Sequence, residues 1–226
     1  MRAVTKFRSF QRMTLVTGFV FLCANAFSQS QTDVNEVVAT LNDYRSDHDK
    51  VIIEEFVDLR SMPNVAANIP DMDRYADYIT GLLKDRGFTT RRLKAGGAPY
   101  IYAELNNPGA AETILIYAHF DGQPVQEENW VYPPFSPTLL DAPLQANGQV
   151  VDISQVDGVF DPEWRLYGRS AGDDKMPIIA LVHALDAMKE NGIDLSVNLK
   201  LLLDGEEEAG SPTVGRILDE NRDLFD

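Results

Sequence analysis

The strongest structural signal in this sequence is residues 113–121, Thr-Ile-Leu-Ile-Tyr-Ala-His-Phe-Asp. The first six residues form a near-continuous apolar run, which is typical of a strand buried on both faces of a sheet between helices. His119 and Asp121 follow directly, and residues two apart in an extended backbone point to the same side. The stretch therefore predicts a buried strand that ends in an imidazole and a carboxylate facing one site. A surface histidine beside a turn is the competing interpretation of His119.

Apolar spacing and turn residues extend this interpretation along the chain. Helices are predicted over residues 33–60, from Asp71 as N-cap to Arg86 with Gly87 as the stop, over 175–191, and from Pro212 to about Asp223. Strands are predicted over 88–93, 100–105, 164–167 and 197–203. Helix and buried strand alternate, which predicts an α/β fold: a mixed, mostly parallel sheet with helices on both faces.

A second cluster lies at residues 167–175, Tyr-Gly-Arg-Ser-Ala-Gly-Asp-Asp-Lys, just before a predicted helix. Adjacent carboxylates at Asp173 and Asp174, beside small residues, suit a loop that bends around a cation. The alternative is that one of them is the N-cap of the helix, a common use of aspartate. The glycine spacing matches neither a P-loop nor a dinucleotide-binding loop.

A third cluster, residues 203–212, reads Leu-Asp-Gly-Glu-Glu-Glu-Ala-Gly-Ser-Pro and follows another predicted buried strand. Three consecutive glutamates repel each other unless a positive charge lies among them. A solvated acidic loop is the alternative. All three clusters adjoin strand ends, where open α/β sheets place their sites. Together they supply one histidine, several carboxylates and no cysteine, which suits zinc, cobalt or manganese in a hydrolytic site.

The three motifs, in this order, resemble those of a family of zinc metallopeptidases. It includes carnosinase-type dipeptidases, glutamate carboxypeptidases, aminoacylases and succinyl-diaminopimelate desuccinylase. The resemblance covers residues 33–226, and residues 130–137, Trp-Val-Tyr-Pro-Pro-Phe-Ser-Pro, are similar to a segment of the dipeptidase-like branch. It implies the catalytic domain of such an enzyme, with two divalent metal ions, most often zinc.

The resemblance also implies residue roles. His119 would bind one metal ion, and Asp121 would orient the His119 ring without contacting the ion itself. Asp173 would bridge both ions, Glu207 would be the general base, and Glu208 would bind the second ion. Hydrolysis of an amide bond in a small peptide, by a dipeptidase or carboxypeptidase, is the implied reaction. The alternatives are an N-acyl amino acid deacylase and a non-catalytic exported metal-binding module.

Some family features have no counterpart in this sequence. Met176 stands where the family usually has glycine. The family also has a further carboxylate ligand, a late histidine ligand and a lid domain that carries substrate and homodimer contacts. These features are expected beyond Asp226, so we interpret the chain as an N-terminal fragment. His48 is predicted to be a surface residue and His183 a packing residue, and neither replaces the late histidine.

The first 28 residues differ in character from the rest of the chain. Four basic residues (Arg2, Lys6, Arg8, Arg12) precede an uncharged apolar run over 13–27. That run is too short to span a bilayer comfortably as a helix, and small residues follow it. The pattern predicts a secretory signal peptide over 1–28, with an uncleaved anchor helix as the alternative, and a periplasmic or secreted protein without stable membrane insertion. The resemblance implies that residues 29–226 are the N-terminal part of a metallopeptidase catalytic domain.

The overall charge excludes one class of partner. The chain of 226 residues has 35 acidic and 20 basic residues, for a net charge of -15. Nucleic-acid binding depends on clustered lysine and arginine, so we expect no such partner. A small peptide or an N-acyl amino acid is the expected substrate.

Overall fold

The computed structural model describes the backbone of residues 15–225 and the side chains of residues 34–225. The chain divides into two units, residues 1–42 and 43–226. Helix α1 (Leu15–Arg60) runs through the boundary between the two units. Its first part is the described backbone of the first unit, and the second unit contains its remainder and all later elements. The side chains of the predicted signal peptide, 1–28, lie outside the described residues. Among the described helices, none is long and apolar enough to cross a membrane.

The second unit contains three further α-helices and six strands. The helices are α2 (Ile69–Asp85), α3 (Met176–Glu190) and α4 (Val214–Glu220). The strands are β1 (Thr89–Leu93), β2 (Tyr100–Leu105), β3 (Thr113–His119), β4 (Thr138–Leu140), β5 (Arg165–Tyr167) and β6 (Asn198–Asp204). The predicted elements are confirmed with boundaries shifted by a few residues, except that α1 begins well before residue 33.

Four strands form the main sheet, in the order β1-β2-β6-β3. β2 pairs antiparallel with both β1 and β6, and β3 pairs parallel with β6. The predicted mixed sheet is confirmed, although the described part has one parallel pairing and two antiparallel ones. Since β3 and β6 run side by side in the same direction, their last residues, His119 and Asp204, lie opposite each other. The loops after both strands therefore begin at one edge of the sheet.

Alternation along the central strands produces a core on each face of the sheet. On one face Ile101, Leu201 and Leu203 pack with apolar residues of α2 and α3. On the other face Tyr102 and Leu202 pack around the α4 region. Helices on both faces are therefore confirmed, and β2 and β6 are the strands that both cores enclose.

Strand β3 is not buried on both faces, and that prediction was wrong. Ile114, Leu115 and Tyr117 are 48%, 50% and 51% exposed. The reason is position: β3 lies at an edge of the described sheet and pairs there with β6 alone. Burial begins only at Ala118 and His119, where the chain enters the site.

The start of α2 also differs from the prediction. Asn68, not Asp71, is the N-cap, and its side-chain oxygen accepts the backbone N–H of Asp71 at 3.3 Å. Asp71 lies within the first turn, where a carboxylate interacts favourably with the helix dipole. The predicted stop is confirmed, since Gly87 adopts a φ of +90°, which glycine tolerates without strain.

Candidate metal centre

His119 is the last residue of β3, and its ring lies between two carboxylates. Its Nδ1 is 3.1 Å from Oδ1 of Asp121, and its Nε2 is 2.9 Å from Oδ1 of Asp173. The side chain is 7% exposed. Burial by itself lowers the pKa of His119, but the hydrogen bonds to Asp121 and Asp173 more than offset this and raise it to about 9. The surroundings of the ring therefore favour positive charge.

Asp121 connects the first acidic cluster to the third. It is fully buried, and besides His119 it accepts two backbone N–H groups. Glu207 donates to its Oδ1 at 3.1 Å and Glu208 donates to its Oδ2 at 3.0 Å. A carboxylate with these partners fixes both the orientation of the imidazole and the position of the glutamate loop.

The second cluster approaches the same point from the turn that precedes α3. The side chain of Asp173 is 83% exposed, apart from its contact with His119. Asp174 accepts the backbone N–H of His119 through Oδ2 at 3.2 Å, and the peptide bond between the two aspartates is cis. No side chain caps the start of α3. The N-cap interpretation of Asp173 and Asp174 is thereby excluded.

The side chain of Asn64 ties the first two clusters together. Its Nδ2 donates to the carbonyl of Phe120 at 2.9 Å and to Oγ of Ser170 at 3.2 Å. The backbone carbonyl of Asn64 accepts the N–H of Gly122 at 2.9 Å. Gly122 is required here, because a β-carbon at that position would lie 2.3 Å from Oγ of Ser170. The loop after β3 and the loop before α3 are therefore held in contact.

The three consecutive glutamates have three different environments. Glu206 is buried and accepts the N–H of Ala98 at 3.2 Å and that of Thr213 at 3.0 Å. Glu207 points towards His119, with Oε2 3.8 Å from Nε2, and its side chain is 44% exposed. Glu208 accepts a hydrogen bond from Nε2 of Gln123 at 2.7 Å. Of the three, Glu207 is the one whose carboxylate faces the imidazole.

The donor chemistry at this point suits a divalent cation. The buried carboxylate of Asp121 holds Nδ1 of His119, so that Nε2 of the ring faces the carboxylates of Asp173 and Glu207. Histidines that bind zinc are commonly oriented in this way, with one ring nitrogen held by a carboxylate and the other facing the metal. Within the part of the chain that the structure describes, no three His, Cys, Asp or Glu side chains group closely enough to hold a metal ion by themselves. His119 and Asp173 are therefore in contact without a third such side chain close enough to complete a metal site among the described residues.

Glu208 does not join this group in the structure. Its carboxylate is directed to Gln123, while its backbone N–H is bound by Asp121. The predicted ligands of the first ion, His119 and Asp173, are thus brought into contact, and the predicted ligand of the second ion lies in the adjoining loop.

The other two described histidines lie elsewhere. The ring of His48 stacks on Tyr44 with 3.9 Å between centroids. His183 is buried in α3, and its Nε2 lies 2.8 Å from Oε2 of Glu55. That contact belongs to an ion-pair network and not to simple apolar packing. Met176, at the start of α3, is 54% exposed.

Sequence reasoning missed two contributors to the site. Asn64 follows the end of α1, far from any of the three acidic motifs, and the only local signal was the helix-ending Met-Pro-Asn segment at 62–64. Glu206 could not be distinguished from Glu207 by residue type, because burial alone separates them.

The model of peptidase family M20/M25/M40 matches residues 115–224, which include all three acidic motifs. The Cys-Gly metallodipeptidase dug1 of Schizosaccharomyces pombe is 30% identical over 165 residues, covering 67% of this chain and 30% of the relative. The Beta-Ala-His dipeptidase of Rattus norvegicus is 33% identical over 128 residues, covering 56% of this chain and 22% of that protein. The chain thus spans less than a third of either relative.

Two solved structures share the fold. Human carnosine dipeptidase 1 aligns with a TM-score of 0.65 at 22% identity, over 84% of this chain and 39% of that one. A metallo-carboxypeptidase of the same family from Sulfolobus solfataricus aligns with a TM-score of 0.61 at 28% identity, over 77% of this chain and 35% of that one. The α/β architecture described above is therefore that of the catalytic domains of these enzymes.

Proposed function

We propose that this protein, which belongs to peptidase family M20/M25/M40, hydrolyses an amide bond in small peptides with the help of divalent metal ions. The observation that carries the proposal is the meeting of His119 Nε2 with the carboxylates of Asp173 and Glu207, while Asp121 holds the other side of the ring. Dipeptides are the first substrates to test, because both relatives named above are dipeptidases.

Zinc is the first choice of metal for a set of one imidazole and several carboxylates, and cobalt or manganese come next. In this proposal His119 and Asp173 would hold one ion, and Asp173 together with Glu208, which now accepts a hydrogen bond from Gln123, would hold the second. When bound, such a pair of ions supplies Lewis acidity and lowers the pKa of a water molecule.

The residues of this chain then have separable tasks. Asp121 accepts a hydrogen bond at Nδ1 of His119 and so leaves Nε2 directed at the site. Glu207 is partly exposed and lies beside that nitrogen, so its carboxylate is free to accept a proton from the attacking water and to pass it to the leaving amine. The backbone N–H groups of Glu207 and Glu208 donate to Asp121, and these hydrogen bonds fix the position of Glu207, the proposed base, relative to His119, the proposed ligand.

Glu207→Gln in the full-length protein tests the role of the base. The amide side chain keeps the size of the glutamate but cannot accept the proton, so we expect dipeptide hydrolysis to fall by roughly 10²–10⁴-fold. The zinc content per chain is expected to equal that of the unmodified protein. Glu163→Gln, at a position 81% exposed and outside the site, is the matched control. Turnover in Glu207→Gln close to that of the control would refute the assignment.

The same assay separates the alternative activities. A panel of dipeptides, C-terminally extended peptides and N-acyl amino acids distinguishes a dipeptidase from a carboxypeptidase and from a deacylase. Zinc bound at full stoichiometry without hydrolysis of any of them would favour a non-catalytic metal-binding module and overturn the enzymatic proposal.

Export and homodimer formation are part of the same proposal. Export is supported by the basic start and the apolar run within residues 1–28. Fractionation of the producing cells, with sequencing of the mature N-terminus, tests it. An uncleaved protein in the cytoplasm would overturn it. Light scattering of the full-length protein measures the oligomeric state.

A further inference from the structure

Two basic side chains are buried in this protein without an acidic partner. Arg60 and Lys175 are both 0% exposed. Within the described residues neither forms an ion pair, and the Nζ of Lys175 and the Nε and Nη2 of Arg60 lack hydrogen-bond partners. Among the described residues, Arg60 forms one side-chain hydrogen bond, a long one of 3.5 Å from Nη1 to the carbonyl of Leu166. A buried charge normally has a counter-charge, because desolvation otherwise destabilises the fold.

The two cations belong to one cluster, which we define as Arg60, Tyr75, Arg169 and Lys175. The Nζ of Lys175 lies 4.7 Å from the centre of the Tyr75 ring, and the buried hydroxyl of Tyr75 lacks a partner among the described residues. The Nη2 of Arg60 lies against Gly168, beside Arg169, since a β-carbon on that glycine would be 2.4 Å away. The Nε of Arg169 is also buried without a hydrogen bond.

The two acidic residues that precede Lys175 in the sequence are engaged elsewhere. Asp173 contacts His119 through Oδ1, and Asp174 accepts the backbone N–H of His119. Within the described residues, no ion pair therefore offsets the positive charges of the buried Arg60 and Lys175. A protein with a net charge of -15 has thus concentrated positive charge in its interior.

We infer that the cluster of Arg60, Tyr75, Arg169 and Lys175 is the binding site of a small monovalent anion of the halide class. The unpartnered nitrogen atoms of the cluster carry N–H groups, which donate, and the Tyr75 hydroxyl can donate as well. A water molecule would leave the charges of the two cations uncompensated, whereas an anion both accepts their hydrogen bonds and balances their charge. Complete burial of Arg60 and Lys175 restricts the ligand to a small, singly charged ion. The inference is independent of the metal centre and of peptide hydrolysis.

Thermal unfolding of the full chain tests the site in solution. Gluconate, which is too large to enter, is replaced stepwise by chloride at constant ionic strength and without added metal. We expect Tm to rise and then saturate, by ~2–4 °C once chloride exceeds its dissociation constant several-fold. Lys175→Met removes the charge but keeps most of the apolar length, and should abolish the chloride response. Lys94→Met, at a lysine paired with Asp73 on the surface, should retain it.

A second measurement does not depend on any variant folding. Crystals of the unmodified protein soaked in bromide should show an anomalous peak within hydrogen-bonding distance of Lys175 Nζ and Arg60 Nη2. A Tm that is the same in chloride and gluconate would overturn the inference. A chloride response that survives in Lys175→Met, or a bromide-soaked crystal without a peak at the cluster, would overturn it equally.

Discussion

Oδ1 of Asp121 lies 3.1 Å from Nδ1 of His119, and the same buried carboxylate accepts the backbone N–H groups of Glu207 and Glu208. One side chain therefore sets both the direction of the imidazole and the position of the glutamates beside it. The geometry of the candidate metal centre therefore depends on this carboxylate.

Asp121→Asn should weaken zinc binding. The substitution removes the negative charge that supports the imidazole and replaces one acceptor oxygen with a donor that faces backbone N–H groups. We expect zinc affinity to fall by ~10–100-fold, the usual effect of losing such a supporting carboxylate. Competition with a chromophoric chelator at fixed pH measures it. Asp141→Asn is the control, because Asp141 also accepts a backbone N–H, that of Gln149, but on an exposed turn. Unchanged affinity in Asp121→Asn would contradict the supporting role.

The same substitution should destabilise the fold at Glu206 but leave its stability nearly unchanged at Glu207. Glu206→Gln places an amide among buried donors from Ala98, Tyr100 and Thr213, so we expect a loss of about 1–3 kcal/mol in the free energy of unfolding. Urea unfolding measures it. Glu207→Gln, at a partly exposed position, should change stability by less than about 0.5 kcal/mol. Equal stability of the two variants would show that burial does not separate their roles.

Asn64 and Ser170 should be energetically coupled. The hydrogen bond from Nδ2 of Asn64 to Oγ of Ser170 joins the segment after α1, which also contacts the loop after β3 through Phe120, to the loop before α3. Alanine substitutions at the two positions, singly and together, should show a coupling of about 0.5–3 kcal/mol in urea unfolding. The pair of Asn64 with the exposed Ser154 is the control and should be additive. Additive effects of Asn64→Ala and Ser170→Ala would mean that the two loops are not joined in this way.

The ion pairs of Glu55 should make stability depend on pH in the acid range. Burial raises the pKa of Glu55, but the hydrogen bond with His183 and the charge of Arg86 outweigh it and lower the pKa below its ordinary value. Because the folded state holds the proton less tightly than the unfolded state, this stabilisation is present above the ordinary glutamate pKa. It is lost as the pH falls through the lower, folded value.

Glu55→Gln should therefore cost about 1–3 kcal/mol at pH 7, and the difference from the unmodified protein should shrink as the pH is lowered. Urea unfolding across the acid range measures this. Glu163→Gln, at an exposed position, should show no such pH-dependent difference. A difference that is constant with pH would mean that the charge of Glu55 does not stabilise the fold.

Local pattern predicted most of the elements correctly. The alternation in β2 and β6 places Ile101 and Leu201 on one face and Tyr102 and Leu202 on the other, so the strands could be recognised without a structure. The error at β3 has a simple cause. An apolar run such as Ile114-Leu115-Ile116 indicates that a strand is present. Whether other strands and helices bury that strand depends on its place in the sheet, and β3 lies at the edge.

The sequence by itself determined the chemistry of this protein: which strands form, which loops carry carboxylates, and which histidine follows a strand directly. These follow from residue type and spacing, which act over a few residues. Only the tertiary structure decided that His119, Asp121 and Asp173 meet, that Glu206 is buried while Glu207 faces the ring, and that Arg60 and Lys175 are enclosed together. Those outcomes depend on contacts between segments distant in the chain, and local propensity contains no information about them.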